Sequence, residues 1–318
     1  MRFVLSLLLL CPLAVRAAEL PGIPMFIDEM VARHQFKRGE LENAFAHAQH
    51  NPAVIELISR PATIKPWPEY RAIFVNQKRV QFGLEFWDKY RQTLRRAERK
   101  YGVPQEIIIA VIGVETIYGR NAGNFRVLDA LTTLAFDYPR RADFFRSELE
   151  NYLLLARDQQ FDLLDIRGSY AGALGIPQFM PSSYRNYAVD FNSNRTIDLL
   201  RENVDSIGSV ANYLQGYGWI RGEPVAARAQ IGAELPASAA GTTRTLAEWA
   251  ATEIVPGVNF APDKPARLID FTVEDGKEYW LAFNNFEVIT RYNNSDFYAM
   301  SVFQLAEELK AARKAGKP

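Results

Sequence analysis

One glutamate stands where the sequence predicts the apolar face of a helix. Pro104 marks the helix start, and the apolar positions Ile108 and Val111 lead at helical spacing to Glu115. Burial disfavours the charged form of a carboxyl group, so this glutamate is a candidate proton donor that stays protonated near neutral pH. A second interpretation stays open, in which Glu115 is a buried structural residue neutralised by a cation such as Arg120.

The remaining residue types argue against several other chemistries. Only three histidines occur, at positions 34, 47 and 50, and none has the HExxH spacing of a zinc hydrolase. The chain has one cysteine and no glycine-rich phosphate loop. Acid–base chemistry by carboxyl groups is therefore the chemistry that the sequence favours.

Two further clusters suit a carbohydrate or peptide ligand. Arg140 and Arg141 offer two cations for substrate carboxylates, although a solvated helix start would have the same sequence. Residues 168–183, GSYAGALGIPQFMPSS, are rich in small side chains that allow a ligand close to the backbone. Within them Ser169 and Gln178 supply neutral hydrogen-bonding groups; a purely structural turn is the alternative.

Residues 190–198, DFNSNRTID, alternate oxygen-bearing side chains as a helix–loop–helix calcium site does. The candidate ligands are Asp190, Asn192, Asn194 and the carbonyl of Thr196. Arginines occupy positions 195 and 201, where glycine and a bidentate glutamate are usual, so either Glu202 or Asp205 would have to close the site. An asparagine-rich turn without metal is the alternative.

The N-terminus has the pattern of a secretory signal peptide. Arg2 precedes an apolar run at residues 3–10, too short to span a bilayer, and a small-residue stretch ends near Ala17. Cleavage after Ala17 predicts a periplasmic protein, and lipidation of Cys11 to give an outer-membrane lipoprotein is the alternative. The mature chain would lack cysteine, and removing Arg2 and Arg16 from 37 basic against 37 acidic residues leaves a net charge of −2.

Composition and patterning predict a globular protein of two or three domains. The chain has 318 residues, of which 48% are hydrophobic and 23% charged, and no long basic block that would indicate a nucleic-acid partner. Helical patterns dominate to about residue 222. Strand patterns follow at 225–231, 266–273 and 278–283, with a turn at 274–277, a short helix at 245–254 and a terminal helix at about 296–315.

Several long motifs together resemble one family, the B-type lytic murein transglycosylases of glycoside hydrolase family 103. They are GVET at 113–116, YPRR at 138–141, the run 168–183, VDSIGSVANY at 204–213 and ITRYN at 289–293. The resemblance implies a mainly α fold with a small β subdomain (α+β), in which a lysozyme-like helical core is flanked by a helical domain and a small β-containing domain. The expected boundaries are a signal peptide at 1–17, a helical domain at 18–100 completed by the C-terminal helix at 296–318, a catalytic core at 101–222 and the β-containing domain at 223–295.

The resemblance also implies an activity. Peptidoglycan would be cleaved between MurNAc and GlcNAc without water, leaving 1,6-anhydroMurNAc ends, for cell-wall turnover and remodelling. Glu115 would protonate the glycosidic oxygen and then, as a carboxylate, take the proton from the MurNAc C6 hydroxyl. This reaction needs no cofactor and no second catalytic carboxyl group, and calcium would be structural only.

Position by position, the resemblance assigns further roles. The saccharide-contacting residues would be Ser169, Gln178, Tyr213, Tyr292, Asn293 and Tyr298. Arg140 and Arg141 would face the stem peptide, and Asp205 would close the calcium loop, although this chain has one extra residue before it. The expected partners are glycan strands, stem peptides and the cell-wall synthesis machinery, with no nucleic acid, for a protein expected to be a monomer.

Two other functions stay open at this point. A hydrolytic muramidase would use water and a second carboxyl group in place of the internal hydroxyl. A non-catalytic peptidoglycan-binding scaffold would keep the groove without turnover. The chemical nature of the product ends separates the first from the transglycosylase, and turnover itself separates the second.

Overall fold

The computed structural model describes residues 20–60, 65–232 and 239–316. The predicted signal peptide at residues 1–17, with Cys11, lies outside these ranges. Of the described residues, those up to 59 and from 124 to 172 form one compact unit, called the first unit here. Those from 60 to 123 and from 173 onward form the second unit. No helix in the described ranges is long and apolar enough to cross a membrane.

Helices dominate the described chain. The α-helices are α1 Ile23–His34, α2 Arg38–His47, α3 Pro52–Ser59, α4 Trp67–Phe74, α5 Gln77–Lys89, α6 Arg91–Tyr101, α7 Gln105–Thr116, α8 Val127–Asp137, α9 Ala142–Gln159, α10 Pro181–Tyr187, α11 Asn203–Gly216, α12 Leu246–Ala250, α13 Asn284–Thr290 and α14 Asp296–Ala315. The strands are β1 Phe125–Arg126, β2 Arg167–Gly168, β3 Ala226–Ile231, β4 Thr243–Thr245, β5 Ile254–Pro256, β6 Pro265–Val273 and β7 Gly276–Ala282. The predicted α+β class, mainly helical with a small sheet, is confirmed.

The first unit is helical apart from one short ladder. In it α8 packs on α9, α3 packs on α8, and α1 packs on α2. The buried rings of Phe26 and Phe45 meet edge to face, with 6.1 Å between their centroids. Strands β1 and β2 pair antiparallel with Phe125 opposite Gly168, so that Ser169 directly follows the ladder.

Helix α7 is the central helix of the second unit. Helices α5, α6, α11 and α14 all contact it, and residues 107–114 are buried without exception. A helix that is apolar on every side is stable only inside a core, because no face of it gains by exposure to water. Beyond its first turn, α7 carries one carboxyl group, Glu115, on its last turn.

The sheet lies in the second unit and is antiparallel, in the order β4–β6–β7–β3–β5. Val273 pairs with Gly276, so β6 and β7 are joined by the predicted hairpin turn. Trp249 of α12 is fully buried and donates its indole N–H to the Ala266 carbonyl at 2.9 Å. Strands β4 and β5 were not predicted, because three residues are too few to show alternation. The expected domain boundaries stay a prediction.

Candidate active site

The end of helix α7 is fixed by an unusual backbone path. Ile117 and Tyr118 follow the helix with φ of 52° and 60°, and Gly119 continues with φ of 83°. A β-branched residue in the left-handed region is strained, so the surrounding contacts must impose this turn. The Ile117 and Tyr118 N–H groups donate to the Gly113 and Ile112 carbonyls at 3.2 and 3.3 Å, which closes the helix one residue beyond Thr116.

The Tyr118 ring explains two glycines beside this turn. A Cβ atom at Gly113 would lie 2.6 Å from the Tyr118 hydroxyl oxygen, and one at Gly83 would lie 2.5 Å from it. The ring therefore fits only because both positions lack a side chain. Its hydroxyl donates to the Arg79 carbonyl at 2.9 Å, which ties the end of α7 to α5.

Glu115 meets a tyrosine from the far end of the chain. The Tyr298 hydroxyl donates to Glu115 Oε1 with an O···O distance of 2.6 Å. Tyr298 is buried in the first turn of α14, where its own N–H donates to the capping hydroxyl of Ser295 at 3.3 Å. The bond occupies one carboxyl oxygen of Glu115 and holds the side chain in a single orientation.

The surroundings of Glu115 shift its acidity toward neutrality. Burial raises its pKa from 4.5 to about 7, while the Tyr298 hydrogen bond and the nearby charge of Arg79 act in the opposite direction. The residue keeps partial solvent access, although protein atoms crowd the carboxyl group. A carboxyl group with this pKa can give up a proton and take one back at neutral pH.

The Arg79 side chain binds backbone carbonyl groups at the end of α7. Its guanidinium donates to the carbonyls of Gly113, of Val114 at 3.4 Å and of Ile73 at 3.2 Å. These carbonyls lie at helix C-termini, where a cation is favourable, and the Gly113 carbonyl accepts the Ile117 N–H as well. Arg79 was missed by sequence reasoning, because nothing local to α5 relates it to α7.

Arg120 does not neutralise Glu115. Its guanidinium lies 3.6 Å from the carboxylate of Glu85 and stacks over the Phe82 ring at 4.0 Å from the centroid. The cation beside Glu115 is Arg79, whose hydrogen bonds go to backbone carbonyls. The structure therefore gives Glu115 a nearby positive charge without an ion pair.

Tyrosine rings surround the Glu115 carboxyl group. Tyr292 lies nearly parallel to Tyr298 at 6.3 Å between centroids, and Tyr213 lies 4.8 Å from Tyr292. Burial and the charge of Glu115 raise the pKa of a further tyrosine, Tyr70, to about 12. Tyr70 was also missed, because its position in α4 carries no motif.

The hydroxyl groups of two rings are committed to the backbone. Tyr292 donates to the Pro177 carbonyl at 2.5 Å, and Tyr213 donates to the Arg291 carbonyl at 2.6 Å. Gln178, with φ of 53°, uses its amide N–H group on the Gly175 and Ala122 carbonyls at 2.8 and 3.0 Å. Backbone carbonyls thus fix the side chains of three predicted residues of the second unit, Gln178, Tyr213 and Tyr292.

Asn293 differs from these residues in being exposed, on the turn between α13 and α14. Its side-chain amide has no hydrogen bond to any residue in the described ranges. The backbone carbonyl accepts the Ser295 N–H at 2.7 Å and so fixes the turn. An exposed side-chain amide without a hydrogen-bond partner among the described residues can both donate to and accept from a polar ligand.

The other predicted binding residues belong to the first unit. Ser169 Oγ accepts the Ala171 N–H at 3.2 Å, in the turn that follows β2. Arg140 and Arg141 lie in a short 3₁₀ turn and are exposed. The Arg141 guanidinium stacks over Phe144 at 4.2 Å, and neither arginine forms an ion pair within the described ranges.

The loop at residues 190–205 is fastened by two aspartates. Asp190 accepts the N–H groups of residues 193, 194 and 195 at 2.6, 3.1 and 2.7 Å. Asp205 is fully buried, and its two oxygens accept the N–H groups of residues 191, 192 and 198. Both oxygens of Asp205 are therefore used by the loop backbone.

Glu202 is the carboxylate that reaches the candidate calcium ligands. The side-chain amides of Asn192 and Asn194 both donate to it, the latter at 3.2 Å. Among the described residues no group of three or more His, Cys, Asp or Glu side chains could hold a metal. A cation here would depend on amide and carbonyl oxygens together with Asp190 and Glu202, an all-oxygen set that suits calcium.

The sequence places the chain in a known family. It matches the family described as Transglycosylase SLT domain over residues 21–307. It is 43% identical over 306 residues to the membrane-bound lytic murein transglycosylase B of Escherichia coli strain K12, an alignment covering 93% of this chain and 84% of that protein. The chain belongs to this transglycosylase family, as its motifs predicted.

Solved structures share the fold. Soluble lytic transglycosylase SltB1 from Pseudomonas aeruginosa is 46% identical with a TM-score of 0.87, covering 92% of this chain and 100% of that one. Escherichia coli Slt35, solved in complex with calcium, is 44% identical with a TM-score of 0.87, covering 93% and 95%. SltB3 from Pseudomonas aeruginosa, solved in complex with NAG-anhNAM-pentapeptide, is 30% identical with a TM-score of 0.79, covering 91% and 78%. The predicted fold and enzyme class, a lytic transglycosylase, are confirmed.

Proposed function

We propose that this chain cleaves the MurNAc–GlcNAc bond of peptidoglycan without water and leaves 1,6-anhydroMurNAc ends. The observation that supports this most strongly is one carboxyl group, Glu115, with a pKa of about 7. Hydrolytic glycosidases use a second carboxyl group roughly 5–10 Å from the first. The groups that act on the pKa of Glu115 are instead Tyr298, which donates to it, and the charge of Arg79, and the proposed reaction needs no second carboxyl group because the C6 hydroxyl is the nucleophile.

One proton moves through Glu115 in two steps. The protonated carboxyl group gives its proton to the glycosidic oxygen, the C1–O bond breaks, and GlcNAc leaves with that proton. The acetamido oxygen of MurNAc stabilises the cationic C1. The Glu115 carboxylate then removes the proton of the C6 hydroxyl as O6 bonds to C1, which regenerates the acid and consumes no water.

Tyr298 and Arg79 support the two states of Glu115. The Tyr298 hydroxyl donates to Oε1, so it favours the carboxylate that exists between the steps and leaves Oε2 for the substrate. Arg79 is a positioning residue, because its guanidinium binds the Gly113 and Val114 carbonyls that precede Glu115. Its charge also lowers the pKa of Glu115 from a distance.

The binding residues differ in what they can offer a glycan. Tyr292 keeps partial solvent access and offers its ring to a sugar, while the buried Tyr213 packs against it; both hydroxyls are bound to backbone carbonyls. Gln178 offers its amide oxygen and Asn293 its whole amide. Ser169 belongs to the first unit and is proposed as a saccharide contact of that unit. Arg140 and Arg141 bind stem-peptide carboxylates, because they are exposed cations without ion pairs.

The loop at 190–205 holds a structural calcium ion with Glu202 as the closing carboxylate. Asp190, Asn192, Asn194 and the Thr196 carbonyl supply the other oxygens, while Asp205 holds the backbone beneath them. The protein acts in the periplasm after signal-peptide cleavage, in cell-wall turnover and remodelling. It works as a monomer beside the cell-wall synthesis machinery.

Digestion of purified sacculi in H₂¹⁸O, with mass spectrometry of the products, tests the proposed reaction. Anhydro-ended products without ¹⁸O are expected. Reducing ends that carry ¹⁸O would instead identify a hydrolytic muramidase. The Glu115→Gln variant is expected to lose turnover and keep sacculus binding; wild-type binding without any turnover would identify a scaffold.

A further inference from the structure

One cavity, of about 690 Å³, lies away from the Glu115 site. It is a groove among α5, α6, the start of α7 and the end of α14, and it is called the basic groove here. Its cations are Arg91, Arg95, Lys310, Arg313 and Lys314. Among the described residues, the carboxylates of the lining are Asp88 and Glu106, so the described lining carries excess positive charge, whereas the formal net charge of the chain is zero.

The floor of the basic groove is rigid. Trp87 is buried and donates its indole N–H to Gln105 at 2.8 Å. The Arg313 guanidinium stacks over this indole at 4.3 Å from the ring centroid and lies 3.5 Å from Asp88. A cation fixed on an aromatic floor is already oriented before any ligand arrives, which lowers the entropy lost on binding.

The ion pairs within the groove do not neutralise all of its cationic side chains. Asp88 is shared by Arg91 at 3.0 Å and Arg313 at 3.5 Å, and Glu106 faces Lys310 at 3.4 Å. Arg95 and Lys314 have no ion pair with any described residue. Two exposed cations therefore remain available to an external anion.

Helix electrostatics do not account for this cluster. Basic residues in the last turn of α14 complement its dipole, which explains Arg313 and Lys314. Arg91, however, is the first residue of α6, where the dipole favours acidic side chains, and Arg95 follows one turn later. Arg91, Arg95 and Arg313 line the same cavity, and burial lowers the pKa of Arg313 against the charge of Asp88, with the charges of Arg91 and Arg95 adding to the decrease.

The geometry points to the basic groove as a binding site for a phosphate group. Several guanidiniums can donate at once to the oxygens of one phosphate, which carries more charge than a carboxylate. The phosphate belongs either to an anionic lipid head group at a membrane surface or to a soluble phosphate compound. This proposal does not depend on the reaction at Glu115.

Two binding measurements test the proposal with the full chain. In the first, protein is sedimented with vesicles of phosphatidylcholine alone or mixed with phosphatidylglycerol; in the second, inorganic phosphate is titrated by calorimetry. The test variant is Arg95→Gln/Lys314→Gln, which breaks no ion pair. The matched control is Lys65→Gln/Lys78→Gln, which removes two exposed cations outside the groove.

Binding to anionic vesicles that weakens roughly 30-fold in the test variant and is unchanged in the control supports a lipid head group. Added salt should weaken it as well. Phosphate binding by calorimetry without vesicle binding, lost in the same variant, supports a soluble phosphate compound. The proposal is overturned if the wild type binds neither probe, or if the test variant binds both as the wild type does.

Discussion

The Tyr298 hydroxyl donates to Glu115 Oε1 at 2.6 Å, joining residues 183 positions apart in the chain. This bond stabilises the carboxylate, while burial stabilises the protonated form, and burial has the larger effect on the pKa. The balance leaves Glu115 with a pKa of about 7, where both proton transfers are feasible. The acidity of the site is thus set by two opposed contributions, each of which can be altered separately.

Removing the Tyr298 hydroxyl should raise the pKa of Glu115 further. In Tyr298→Phe the carboxylate loses its donor, so the proton is held to higher pH by about one pH unit. The alkaline limb of the pH–rate profile, where the protonated form of Glu115 is lost, should move to higher pH. Tyr292→Phe is the control, because its hydroxyl binds Pro177; an equal shift in both variants would disprove this role of Tyr298.

The raised pKa of Glu115 should make folding stability depend on pH. The folded-state pKa of about 7 exceeds the unfolded value near 4.5. The contribution of protonated Glu115 to the free energy of unfolding is therefore fully present below pH 4.5 and is lost as pH rises through 7. Glu115→Gln should match the wild type at pH 4.5 and exceed it by up to about 3 kcal/mol at pH 8. Urea unfolding at both values measures this; a constant difference between the two proteins would contradict it.

Arg79 should affect rate more than substrate affinity. Arg79→Met removes the guanidinium donor from the Gly113 and Val114 carbonyls, of which Gly113 keeps only the Ile117 N–H, and removes a charge that lowers the pKa of Glu115. We expect kcat to fall at least tenfold with little change in KM, and the alkaline limb to move to higher pH. Arg79→Lys keeps the positive charge, so it should recover part of the wild-type kcat and part of the wild-type position of the alkaline limb. If Arg79→Met lowers the free energy of unfolding but leaves the pH–rate profile unchanged, Arg79 contributes to packing only.

Gly113 should not tolerate a side chain. A Cβ there would overlap the Tyr118 hydroxyl, so Gly113→Ala should destabilise the fold by on the order of 2 kcal/mol and lower activity. Gly39→Ala is the control, because nothing lies within 4 Å of its Cβ and alanine favours the helix by about 1 kcal/mol. Thermal unfolding of both variants decides the point, and similar shifts in both would contradict it.

The two candidate closing residues of the loop at 190–205 should behave differently. Calcium should raise the Tm of the wild type, and Glu202→Gln should abolish that increase. Asp205→Asn should lower the Tm with or without calcium, because the side chain holds three backbone N–H groups. If Asp205→Asn abolishes the calcium-induced increase in Tm without lowering the Tm in the absence of calcium, and Glu202→Gln retains that increase, then Asp205 and not Glu202 is the closing ligand.

How far the sequence predicts the molecule depends on the distance between interacting residues. Glu115 at a helix end and α14 at Asp296–Ala315 follow from local spacing, and the structure reproduces both. The contacts of Arg79 with residues 34 and 35 positions away, and of Tyr298 with Glu115, arise only when the core helices pack. Asp205 matches a ligand position by spacing, yet its burial directs both oxygens to the backbone.

The most direct test of this account is the pKa of Glu115 itself. Infrared difference spectra between the wild type and Glu115→Gln, recorded as a function of pH, isolate the carboxyl stretch of this one residue. We predict a protonated band that disappears with a midpoint near pH 7. A midpoint near the ordinary glutamate value of about 4.3 would contradict the account, because Glu115 would then have no proton to give at neutral pH.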